Sequence, residues 1–247
     1  MKKIIILALC VALTAVLLVG CVSIDFSPWG SAGVAGRGSM EKFTFNVNEI
    51  TEIRIEMLCN IIYYSAPSDT VTLEVQPNLM DYISVVESGG ILTVRSTRNL
   101  NIGTGNTPVL TVSTPSLGRV FHAGAGRFNA VDTITGDSFS IHIAGAADGR
   151  ATLDVQTLSV NLAGAGNLEL SGTADSADIG MAGAGRLDAF ELQTRSTSIN
   201  LAGVGTVRIS CSDDLSVTAG GVGTVEYRGS PTLDITRGGL VTVRQVD

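Results

Sequence analysis

The side chains able to do chemistry are few, and their spacing keeps them apart. His122, His142 and the acids Asp132, Asp148, Asp154, Asp175, Asp178 and Asp188 are the candidates for proton transfer. Asp213-Asp214 is the one adjacent acidic pair, and its surroundings suit a solvated turn. Polysaccharide lysis or hydrolysis needs two or three carboxylates converging on one face, often with calcium or a basic residue. Nucleophilic hydrolysis would carry a G-x-S-x-G elbow, and phosphate binding would carry G-x-G-x-x-G or a glycine loop ending in Gly-Lys-Ser/Thr. None of these occurs. The calcium-roll repeat is missing too, because Gly220-Gly221-Val222-Gly223 runs on into Thr224-Val225 without an Asp. His/Cys spacings for zinc are absent. No catalytic residue, metal site or cofactor is expected.

The N-terminus carries chemistry of another kind. Lys2 and Lys3 precede an apolar run from Ile4 to Val19, about 16 residues and short for a membrane-spanning helix. The run ends in Leu18-Val19-Gly20-Cys21, which resembles the bacterial lipobox, where a small residue precedes a cysteine that is lipidated and becomes the mature N-terminus. Residues 1–20 are then a signal peptide, Cys21 is the lipidation site, and the lipid holds the protein on a membrane. Residues 21–40, rich in Gly, Ser and Ala, read as a flexible tether that includes the only Trp, Trp29. Cleavage leaves 14 basic residues against 23 acidic ones, with Lys42 the single remaining lysine. Cys59 and Cys211 also remain, 152 residues apart, and are expected as two buried thiols rather than a pair.

The elements that would have to position these side chains show up as a repeat. Seven short blocks recur from residue 120, starting His122-Ala-Gly-Ala-Gly and Ile143-Ala-Gly-Ala-Ala and ending Gly238-Gly-Leu-Val. Their register marks are Gly124, Gly145, Gly164, Gly183, Gly203, Gly221 and Gly239, at intervals of 18 to 21 residues. Four residues before each mark stands a β-branched residue: Val120, Ile141, Val160, Ile179, Ile199, Val217 or Ile235. Apolar residues then recur two apart, which is strand alternation rather than helical periodicity. The repeat therefore predicts a solenoid of stacked β-coils. The mark glycines are expected at the corners, where backbone with φ > 0 suits glycine, and the adjacent alanines leave room for close stacking. Five residues after each mark the order Asn129, Arg150, Glu169, Asp188, Arg208, Glu226, Arg244 predicts an outward ladder of mostly alternating charge.

Residues 41–118 lack the mark but alternate similarly around Ile53, Val71, Ile91 and Val109. They are expected to lead into and cap the coils, because a bare solenoid end exposes core and unpaired strand edges.

Taken together, the lipobox, the Phe43/Phe45 strand opening, the Val109–Leu117 lead-in, the serial small-Gly-small-Gly coils and the Tyr227-Arg-Gly-Ser-Pro231 stretch resemble the head GIN domain lipoproteins of the auto-transporter adhesin family. The resemblance covers roughly residues 41–247. It implies an all-β fold, a right-handed single-stranded β-helix at the cell surface, with no established activity. This chain departs from the family in having Ala where Ser is common before the glycine, and in lacking a literal Gly-Ile-Asn.

Composition narrows the function. With 45% hydrophobic residues, 16% charged and a net charge of −7, the chain is neither a disordered polyelectrolyte nor suited to a phosphate backbone. The expected function is a non-catalytic cell-envelope lipoprotein acting as a surface adhesion, binding or structural module in the outer membrane or at the cell surface. Its expected partners are the membrane, through the lipid, and a surface glycan or envelope protein, not nucleic acid. The alternative is a carbohydrate-active β-helix enzyme, either polysaccharide lyase or hydrolase.

Overall fold

A computed structural model describes residues 33–247. The leader over 1–20, Cys21 and the first part of the tether lie outside the described residues. The N-terminal region runs β1 (Val34–Ala35), β2 (Glu41–Phe45), β3 (Glu52–Glu56), β4 (Asn60–Ser65), β5 (Thr70–Val75), the one-turn helix α1 (Pro77–Met80), β6 (Ile83–Ser88), β7 (Ile91–Ser96), β8 (Leu100–Asn101) and β9 (Val109–Thr114). The repeat region runs β10 (Arg119–His122), β11 (Ala125–Ala130), β12 (Ile134–Ile143), β13 (Ala146–Leu162), β14 (Ala165–Met181), β15 (Ala184–Leu201), β16 (Val204–Ala219), β17 (Val222–Arg228), β18 (Thr232–Arg237) and β19 (Leu240–Gln245).

From β10 onward every coil pairs in parallel with the next, and the β-branched column stacks in register. Val120 faces Ile141, and Val160, Ile179, Ile199, Val217 and Ile235 follow one coil at a time. All but the terminal Ile235 are buried. Alternation decides this: β-branched residues favour extended backbone, and a slip of one residue would turn the whole column to solvent. The chain is thus a β-helix whose core is one continuous apolar stack.

The first coils depart from the expected simple lead-in. Ile53 pairs with Val120 on one side and with Leu92 on the other. Likewise Ile61 pairs with Phe128 and with Leu110. Residues 52–65 and 91–114 therefore supply two coils without a glycine mark, and the earlier segment lies between the later one and the repeats. The cap is antiparallel: β5 pairs with β2 and β9, and β6 forms a hairpin with β7.

The tether expected over 21–40 ends sooner than its composition suggests. β1 pairs in parallel with β8. The Asn78 side chain donates from Nδ2 to the Ala35 carbonyl at 2.8 Å and accepts from the Arg37 N–H at 2.7 Å. Gln76 Nε2 donates to the Gly38 carbonyl at 2.9 Å. Backbone hydrogen bonding outweighs the Gly/Ser/Ala composition here, and residues 33–40 belong to the domain.

The mark glycines sit at bends between strands, yet left-handed backbone is not what requires them. Only Gly239 among the seven has positive φ, at 79°. At Gly164 a Cβ would fall inside the van der Waals shell of the Gly145 carbonyl oxygen one coil before, and the same holds from Gly145 to Gly221. That carbonyl is engaged, because Ala165 N donates to Gly145 O at 2.9 Å and Ala184 N to Gly164 O at 3.0 Å. Each mark from Gly145 onward thus lies over a carbonyl committed to the next coil, and close approach is the requirement.

Candidate functional site

The strand leaving each mark points its first, third and fifth residues outward. The fifth forms the charge ladder, in register from Asn129 to Arg244. Arg150 Nε donates to Glu169 Oε2 at 2.8 Å. Arg208 bridges two coils, with Nη1 3.2 Å from Asp188 Oδ2 and Nε 2.8 Å from Glu226 Oε2. Arg244 binds Glu226 from the last coil. Arg244 above all, with Arg208, holds the Glu226 carboxyl below its ordinary range, although burial works in the other direction. The like-charged neighbours Glu169 and Asp188 turn to different cations, Glu169 to Arg150 and Asp188 to Arg186 and Arg208. Immediately beyond them the register shifts, and β15 bulges around Phe190, whose ring carries the Arg228 guanidinium at 4.3 Å.

The candidates for proton chemistry do not converge. His122 points inward beside the Cys59 carbonyl, with Nε2 3.0 Å from the oxygen, and its Nδ1 has no hydrogen-bond partner. Burial keeps its pKa below the ordinary histidine value. His142 is on the opposite side of the sheet, stacked on Phe121 with ring centroids 5.0 Å apart. Asp132, Asp148, Asp154 and Asp188 are occupied locally, while Asp175 and Asp178 stand on separate faces of β14. Asp132 accepts from Ser65 N at 3.0 Å and Asp154 from Thr173 Oγ1 at 2.9 Å. Asp148 accepts from Asn167 N and Nδ2 at 2.9 and 3.0 Å. Asp213 lies on a strand irregularity opposite Arg195 rather than in a turn, and Ser212, then Arg195, lower its carboxyl pKa. Among the described residues no group of three or more His, Cys, Asp and Glu could hold a metal ion. Cys59 and Cys211 are both free and buried, and burial pushes the Cys59 thiol up to about 12.

Beside the ladder the structure forms a depression of about 630 Å³ that the scattered charges did not suggest. Arg127, Asp148, Arg150, Asn167, Glu169 and Arg186 stand around it. The signal was the third-residue column, which changes from Arg127, Asp148, Asn167, Arg186 to Thr206, Thr224, Thr242. Long residues at both ends of its polar half and short ones between leave a hollow. Another face is serine-rich, with Ser140, Ser159, Asp178, Ser198, Ser216 and Asp234 aligned across six coils.

The family model described as "Putative auto-transporter adhesin, head GIN domain" matches residues 49–231. A solved structure from Bacteroides fragilis, described as a putative adhesin, shares 21% identity with a TM-score of 0.81 and covers 87% of this chain and 100% of that one. A second putative adhesin, from Parabacteroides merdae, shares 20% identity with a TM-score of 0.63 over 87% of this chain and 99% of that one. A protein from Parabacteroides distasonis described as a putative lipid binding protein shares 17%, with a TM-score of 0.59 over 86% of this chain and 96% of that one. At these identities the likeness is one of fold. No curated protein matches in sequence. With six of its seven mark glycines and the strands from β3 to β17 inside the matched span, this chain belongs to the head GIN domain family.

Proposed function

We propose that the chain is a cell-envelope lipoprotein, anchored through lipid on Cys21, whose β-helix is a surface binding module rather than an enzyme. The observation that carries this reading is the distribution of polar side chains. They form long outward columns, and the candidate carboxylates Asp132, Asp148, Asp154, Asp188 and Asp213 are each tied to a neighbour of their own instead of meeting one another. Such a surface is suited to many weak, repeated contacts and not to bond breaking at one point. Relatives described as adhesins, and one described as lipid binding, support binding as the common theme.

Two measurements test it. Cys21→Ser should move the protein from the membrane fraction to the soluble fraction, because the mature chain has no other long apolar segment. The full chain offered to envelope fragments and to a glycan panel should capture a component without consuming it. Turnover of a captured polysaccharide would replace the binding module with a carbohydrate-active enzyme.

A further inference from the structure

We infer that the depression between Arg127 and Arg186 is a binding site for a neutral glycan chain lying across successive coils. The inference rests on the binding-module reading and adds to it a location and a ligand class. Charge points first to a neutral ligand. Three arginines, Arg127, Arg150 and Arg186, face three carboxylates, Asp148, Glu169 and Asp188, around one hollow. Their charges cancel, so the hollow offers no net field to a polyanion or a polycation, and a chain of net charge −7 repels polyanions from a distance.

Hydrogen-bonding chemistry narrows the class further. Arg127 and Asp148 are register partners on adjacent coils, one purely a donor and the other purely an acceptor. Arg127 is exposed and has no acid partner among the described residues. Among the described residues Asp148 is bound by the amide groups of Asn167 alone. A sugar hydroxyl donates and accepts at once, so it can satisfy both. Around the same hollow Arg150 pairs with Glu169 across adjacent coils and Arg186 with Asp188 within one strand, so donors and acceptors alternate along it. Coils about 4.8 Å apart therefore offer a donor or an acceptor at each step to the hydroxyls of a linear chain. Beside the hollow, exposed Ala146, Ala165 and Ala184 form a low shelf that admits the C–H face of a sugar ring. A peptide strand finds no backbone to pair with here, because these strands already pair on both sides.

The test is depletion of the full chain, in detergent, from solution by beads carrying dextran, mannan or cellulose, with alginate beads as the polyanionic counterpart. At least one neutral polysaccharide should deplete the protein. Arg127→Ala, which removes no hydrogen bond from the fold, should weaken that retention about tenfold, the loss expected for one charge-assisted hydrogen bond. Asp148→Ala should weaken it similarly, with thermal unfolding confirming that the variant folds. Ser198→Ala, on the serine-rich face, should not weaken it. Retention insensitive to Arg127→Ala, or lost with Ser198→Ala, overturns the site while leaving the binding module standing. Retention on alginate alone overturns the ligand class. No retention on any bead overturns the inference, and the binding module falls with it only when capture from envelope fragments also fails.

Discussion

At the scale of single residues, two kinds of position carry most of the consequence. The mark glycines are required by a carbonyl of the preceding coil, so a methyl group there has nowhere to go. Gly164→Ala should cost on the order of 3 kcal/mol, since backbone must move to admit it. Gly180, whose added Cβ would meet only ordinary contacts at about 3.8 Å, should accept Ala within about 0.5 kcal/mol. Paired denaturant titrations of the two variants check the contrast. The other position is His122, neutral and buried, with its pKa below the ordinary 6.5. Below pH 6.5 the unfolded chain takes up a proton there that the folded chain refuses. Stability from this site is therefore full at neutral pH and falls as the pH drops below about 6.5 toward the lower folded value. His122→Leu should flatten the fall in melting temperature between pH 7 and pH 5, relative to the unchanged protein. An equal fall in both would remove His122 from the account.

At the scale of elements, the ladder separates burial from mere pairing. Glu226 is buried and bound by Arg208 and Arg244, whereas Glu169 and Arg150 are both largely exposed. Glu226→Ala should cost about 2 kcal/mol, because it leaves two cations without their shared carboxylate. Glu169→Ala should cost less than about 0.5 kcal/mol, as exposed pairs usually do. Equal costs from chemical unfolding would mean that burial does not set the value of these pairs. The two buried thiols belong to this scale as well. Each sits inside its own coil, so both should resist iodoacetamide in the native protein and react only after denaturation. Labelling of either without denaturant would show that its coil opens.

At the scale of the whole molecule, the coils form a nearly one-dimensional stack in which each one leans on its neighbours. Removing residues 230–247 deletes β18 and β19 but leaves the buried column from Leu92 to Val217 intact. The shortened chain should still unfold cooperatively, at a lower temperature, as followed by circular dichroism. Loss of all cooperative unfolding would mean that the last coil is needed to fold the rest. The amino-acid sequence by itself determined the coils from 119 to 245: period, column and inward face all follow from alternation, and in-register stacking repeats one solution at every turn. It also carried the ladder, because a column five residues past each mark has nowhere to point but outward. Only the tertiary structure decided the rest. The reversed order of the 52–65 and 91–114 coils depends on pairings between distant segments with no shared period, so nothing local in the chain encodes it. The docking of residues 33–40 depends on Gln76 and Asn78, about forty residues away. The purpose of the mark glycines, and the hollow beside Asp148, arise only when one coil is laid against the next. Local alternation tells each strand which face to bury, but contacts between coils decide what those faces enclose.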